Sequence, residues 1–244
     1  MLDIARTIVA SLIIAAAATS PPASGALQKP TPAEVLEASA RRGEALLTAL
    51  HDYTYFAELT IQTISQSDTI TGKYYRLSQI SFDRSGNRQE KVLENTSTLP
   101  ADIYIGTKTA NDLTRIYQFV ITPETLIQYE LNYVGHERID ELDTLVFDIQ
   151  PKTKMRDLGK DDQRYLKGRL WIDEQDLCVV KAAGQALPAP NKTRTPTFET
   201  YFQNHGSYWF PAYASADESI RVGRYFTHAV VSLRFTGYKK VGAK

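Results

Sequence analysis

The sequence predicts a mainly β, α+β fold: one curled antiparallel sheet of about ten strands, with one long and one or two short helices over its concave face. Three observations carry this. Apolar and polar residues alternate along many short segments, turn signals separate those segments, and the one long stretch of helical periodicity precedes them all. There is no βαβ rhythm and no internal repeat, so neighbouring strands are joined by hairpins. A single sheet of that many twisted strands curls, and helices laid on the hollow side leave a lidded cavity.

The chain has 244 residues, 43% of them hydrophobic, with 14 Tyr, 9 Phe and 2 Trp, which suffices for one large core. Residues 1–26 read as a signal peptide. The apolar run from Ile8 to Ala18 is too short to span a bilayer as a stable helix, and small residues at Ser24 and Ala26 suit cleavage near Ala26, with Ala23 or Ser20 as alternatives. Residues 27–31 then form a linker, and 32–244 a single domain. No cysteine near the N-terminus offers a lipid anchor, so the expected product is a soluble, periplasmic, monomeric protein. Cys178 is the only cysteine, which excludes an internal disulfide, and its apolar neighbours mark it as a small core residue.

Thr31, Pro32 and Glu34 supply an N-cap, a first-turn proline and a capping-box acid. Val35, Leu36, Leu46, Leu47 and Leu50 place an apolar stripe on the helix that follows, which ends near His51. From Tyr53 the period becomes two: Tyr53, Tyr55, Ala57, Leu59 and Ile61 share a face. A turn at Asp68, a strand over 70–82, a hairpin loop over 83–87 and a strand over 89–93 complete a meander. Short helical signals occupy 110–119 and begin again at Thr122-Pro123-Glu124. Strands are expected over 126–134, 142–150, 163–172, 177–183, 197–203, 208–214, 219–222 and 227–238. The polar tetrapeptide Asp173–Asp176 turns one hairpin, and 186–196 is a proline-rich connection.

Catalytic and metal signals are weak. The chain lacks a G-x-S-x-G elbow, a C-x-x-C pair and a glycine-rich phosphate loop. His51, His136, His205 and His228 are isolated from one another, and Asp140, Glu141 and Asp143 suit a solvated turn better than an acid pair. Formal net charge is zero, and the basic run Lys152, Lys154, Arg156 is offset by Asp157, Asp161 and Asp162, so nucleic acid is not an expected partner. The sequons at Asn95 and Asn191 are attributed to chance. Neither an enzymatic activity nor a cofactor or metal is expected.

What remains is an aromatic and aliphatic excess on one parity of the strands. Leu59, Ile61, Tyr129, Leu131, Phe147, Leu170, Ile172 and Leu233 are the candidate cavity-lining residues. An apolar groove binds chains because each methylene withdrawn from water contributes ~0.8 kcal/mol.

Several segments are similar to those of outer-membrane lipoprotein-sorting proteins of the LolA/LolB-like superfamily. They are Tyr74–Ile80, Tyr133–Glu137, Val146–Lys152, Gly168–Asp173 and Tyr208–Pro211, within a resemblance that spans residues 32–241. The likeness is to a branch distinct from the soluble periplasmic carrier: the loop Met155–Asp162 is long, and Arg41 and Arg42 lie only near the position of that carrier's helix-associated arginine. The resemblance implies an incomplete antiparallel barrel, helices lidding a cavity for lipoprotein acyl chains or another lipid, and no catalytic residue. It leaves two roles open. One is a carrier in lipoprotein sorting; the other is an envelope sensor on the same fold, engaging a membrane protein complex.

Overall fold

The computed structural model describes residues 30–116, 120–152, 165–187, 196–222 and 225–241. The signal peptide expected over 1–26, most of the linker and the loop 155–162 lie outside the described residues. Ten strands form one sheet in the order β3-β2-β1-β10-β9-β8-β7-β6-β5-β4. Every strand pairing among the described residues is antiparallel, and β3 and β4 are left as edges, so the barrel is incomplete.

Helix α1 runs from Pro32 to Leu50, opened by the predicted capping box between Thr31 and Glu34 and followed by His51. Strands β1 (Tyr53–Ile64), β2 (Ile70–Phe82) and β3 (Arg88–Ser97) form the meander. Asp68 adopts positive φ in the first turn, and the Asp83 carboxylate accepts from the Ser85 and Asn87 amides in the second. Helices α2 (Thr107–Ile116) and α3 (Pro123–Leu126) cross from one edge of the sheet to the other. Strands β4 (Tyr129–Ile139), β5 (Leu142–Pro151), β6 (Tyr165–Asp173) and β7 (Val179–Leu187) follow. The sheet ends with β8 (Phe198–His205), β9 (Tyr208–Val222) and β10 (Tyr225–Lys240).

Several element bounds differ from the sequence reading: α2 starts earlier, at Thr107, β4 runs on to Ile139, β7 spans Val179–Leu187 and β10 spans Tyr225–Lys240. Leu126 closes α3 rather than opening a strand, because the Thr122 hydroxyl accepts from the Thr125 amide and starts a helical turn that delays β4 to Tyr129. The segments 208–214 and 219–222 are one strand: β10 pairs β9 without interruption from Ala214↔Leu233 to Ile220↔Thr227, so the polar run between them stays in the ladder. Strand β3 continues to Ser97, since β2 supplies partners along that length. On α1, Leu47 is 37% exposed and falls off the apolar stripe; Ser39, Ala40 and Gly43 take its place in the seam.

The core lies on the concave face, where cross-strand pairs such as Leu59↔Leu233 and Phe147↔Leu170 bury both partners. α1 spans the hollow: Val35 packs with Leu145, Phe147 and Ile172, Ala40 with Ile149, Leu170 and Phe202, and Leu46 and Leu50 with Tyr55, Leu59 and Leu233. Nineteen residues cover about 28 Å, roughly six strand spacings. One crease stands out where β6 meets β7. Gly168 and Gly184 oppose each other, and a Cβ on Gly168 would lie 1.9 Å from the Ala183 carbonyl oxygen.

Candidate functional site

The candidate site is the seam between α1 and the concave face. Small residues at Ser39, Gly43 and Ala45 keep the helix close to its neighbours while leaving little side chain to fill the space beside it. A Cβ on Gly43 would sit 2.1 Å from the Ile121 carbonyl oxygen, so the segment between α2 and α3 lies directly against the helix. Beside this contact is an apolar pocket. Leu46, Val120, Ile121, Val179, Phe202 and Trp209 line it, with Cys178 and Arg42 at its wall.

The pocket volume is about 40 Å³, room for a few waters and far below the ~300–1,000 Å³ of a formed ligand site. At this seam the helix itself takes up most of the space among the described residues, and a hydrocarbon chain enters the seam only if α1 or the 120–121 segment moves. Ala45 and Tyr208 also border a second, open groove of about 490 Å³, whose other walls include Arg41, Glu44, Asp52 and Lys240. The apolar pocket thus opens onto a polar one.

Burial raises the Cys178 thiol to about 11, against a smaller lowering by Arg42, so the thiol is protonated at neutral pH. Cys178 is half-buried rather than a full core residue. Trp209 is fixed by donating its indole N–H to Asp176 at 2.8 Å. At one end of the seam, rings stack: Phe210 lies 4.5 Å from Tyr238 and 5.0 Å from Tyr53, and the Tyr238 hydroxyl donates to the Pro211 carbonyl. Burial pushes the Tyr238 phenol far upward.

The eight residues singled out from the sequence all face the sheet's hollow side, in three packed clusters. Leu59, Ile61 and Leu233 join the cluster under the C-terminal half of α1. Tyr129 and Leu170, with partly buried Leu131 beside them, meet Ala40, and Phe147 and Ile172 meet Val35. None of the eight borders the apolar pocket. Tyr129 also accepts a hydrogen bond from the Leu166 amide at 3.1 Å, and burial pushes its phenol upward.

A buried charge cluster went unread in the sequence. Arg76, 3% exposed, occupies the inward parity of β2 between Tyr74 and Ser78. Its guanidinium donates to Glu90 on β3 at 2.8 Å and to the Asn111 side chain on α2 at 3.0 Å. Glu90 also accepts from Ser78 at 2.7 Å and from Arg88 at 3.1 Å, and Arg88 reaches Thr114 on α2. Burial alone would raise the Glu90 carboxyl; the Ser78 hydroxyl and the two guanidiniums outweigh it and hold it below the usual range. An arginine in register with Tyr74, Ser78 and Ile80 was the available signal, since an inward charge on a strand demands a buried partner.

The histidines are scattered, as expected: His136 meets Glu174 at 2.5 Å and His228 meets Asp217, each on an exposed surface. Asp140 takes positive φ at the exposed β4–β5 turn. Among the described residues, no group of three or more His, Cys, Asp or Glu is placed to hold a metal ion, and no helix is long and apolar enough to cross a membrane.

No family model matches the sequence, and no curated protein matches it either. Solved structures do. A DUF1329 family protein from Desulfovibrio piger aligns over 84% of this chain and 95% of its own, at 12% identity and a TM-score of 0.40. A LolA superfamily protein from Nitrosomonas europaea covers 84% and 96% at 12% identity and 0.36. An outer-membrane lipoprotein-sorting protein domain from Vibrio parahaemolyticus covers 83% and 91% at 11% identity and 0.36. The chain is similar to LolA-superfamily structures. The half-barrel with helices across its hollow, which the sequence resemblance implied, is the architecture described above.

Proposed function

We propose that this chain is an exported, non-enzymatic binding protein that takes an apolar chain, such as a lipoprotein's acyl group or another lipid, between α1 and the concave sheet. The observation that carries this reading is the make-up of the α1 seam. The helix meets the sheet through side chains in separate apolar clusters, and where it passes Ile121 it presents only small residues. Apolar contact is non-directional, so a hydrocarbon chain replaces what the displaced helix leaves without any polar group losing a partner. A periplasmic location and a role in lipoprotein sorting follow from the expected signal peptide and from the family resemblance.

The test is saturable binding of a fluorescent fatty acid to delipidated protein, repeated after clamping the helix. Ala45→Cys and Tyr208→Cys in a Cys178→Ser background place thiols on α1 and β9 at the rim shared with the open groove, and a short bis-maleimide bridges them outside the apolar pocket. The expected result is binding by the open protein and a loss of at least tenfold in affinity in the bridged form. Absence of binding in the unbridged protein overturns the proposal; equal binding in both forms overturns the helix displacement.

A further inference from the structure

The wall of the apolar pocket bears one charged side chain, and it is a cation. Of all the residues that line the pocket, only Arg42 is ionised at neutral pH. Its guanidinium makes no ion pair or hydrogen bond with any described residue, whereas the adjacent Arg41 meets Glu37 at 3.9 Å. An exposed arginine beside apolar lining keeps its five donors on water, free to turn to an oxyanion. The adjoining groove reached past Ala45 and Tyr208 holds Arg41, Lys240, Glu44 and Asp52, two charges of each sign. That groove accommodates a polar head without selecting its charge. Arg42, on the wall of the apolar pocket itself, sets the sign.

We infer that the site selects single-chain amphiphiles with an anionic head, a carboxylate or a phosphate, over neutral chains of the same length. The inference rests on the proposed seam site and adds its ligand class. The chain lies in the apolar seam beside Trp209 and Phe202, the head stays at the solvent-facing wall of that pocket, and the Arg42 fork donates to its oxygens in the geometry that suits either oxyanion. Because Arg42 is exposed, the gain is the modest one of a solvated pair and is weakened by salt.

The experiment measures affinities of delipidated protein for laurate, dodecyl phosphate and dodecanol below their aggregation concentrations, with inorganic phosphate as a competitor. The expected result is a preference for both anionic ligands over dodecanol of roughly three- to tenfold at low salt. Arg42→Gln should bring the three ligands within about twofold of one another, and Arg42→Lys should restore part of the preference. Inorganic phosphate should not displace laurate, since a head without a tail has nothing to bury; displacement would mean a free-anion site and overturn the assignment. Equal wild-type affinity for laurate and dodecanol, or a preference that survives Arg42→Gln in a folded variant, also overturns it while leaving the apolar site intact. Failure of every chain to bind defeats the proposed function itself.

Discussion

Two helices cover the same concave face, and they are held there by opposite kinds of interaction. α1 rests on apolar burial spread over three clusters. α2 places buried Ala110 in the core, yet its Asn111 and Thr114 are engaged by a buried charge cluster reaching up from β2 and β3. The first kind of attachment weakens in proportion to the area uncovered, so intermediate positions of the helix are accessible. The second is directional: moving α2 strands a guanidinium, and a buried donor without a partner is expensive. The difference predicts that α1 and the 120–121 segment yield before α2 does.

The sharpest way to break the comparison is to remove the acid at the centre of the charge cluster. Glu90→Ala leaves Arg76 and Arg88, 4% and 11% exposed at their side chains, with an uncompensated buried charge, and should cost about 3–5 kcal/mol in urea unfolding. The same cluster has a pH signature. Because the folded-state carboxyl is held below its ordinary value, its contribution is complete above the unfolded pKa of ~4.3 and is lost as pH falls through the lower folded value. Glu90→Gln should flatten that part of the acid limb of stability against pH, and an unchanged limb would assign the acid sensitivity elsewhere. Next in size is Leu46→Ala under α1, buried at 7% exposure, with an expected loss of about 2–4 kcal/mol. Unlike Glu90→Ala, it should loosen α1 selectively, read as faster amide exchange in the helix while α2 keeps its protection. The smallest effect is at the cap: Thr31→Ala removes the hydroxyl that accepts from Glu34, and should cost ~1 kcal/mol with fraying confined to the first turn.

Most of the fold was legible because local chemistry and tertiary structure agree along most of the chain. The capping box at Thr31, the turn at Asp68 and the alternation from Tyr53 to Ile61 each specify their element without help from elsewhere. Reading failed where partners decide. The polar stretch near Asp217 looks like a break, yet pairing to β10 keeps it a strand. Leu47 fits a helical stripe, yet it stays 37% exposed while Ser39, Ala40, Gly43, Leu46 and Leu50 form the buried seam. Leu59, Phe147, Leu170 and Leu233, on the apolar parity of their strands, are buried in the core. Facing inward and bordering a pocket are different properties, however, and the pocket draws its wall from α1, the 120–121 segment, Cys178 and Trp209, segments far apart in sequence that no periodicity connects. Arg76 was legible in principle, but in a strand that also carries Lys73, Ser78 and Gln79 one more polar residue resembles surface decoration.

The facing glycines at positions 168 and 184 bear on how such a container is shaped. With no room for even a methyl group between Gly168 and the neighbouring backbone, the main chains of β6 and β7 touch, and the approach of these two strands is set by peptide against peptide. Bulkier or slimmer residues elsewhere along the hollow can therefore alter what fits inside while that approach stays put. Relatives of this chain that keep the glycine pair should share its curvature even where their linings have nothing in common.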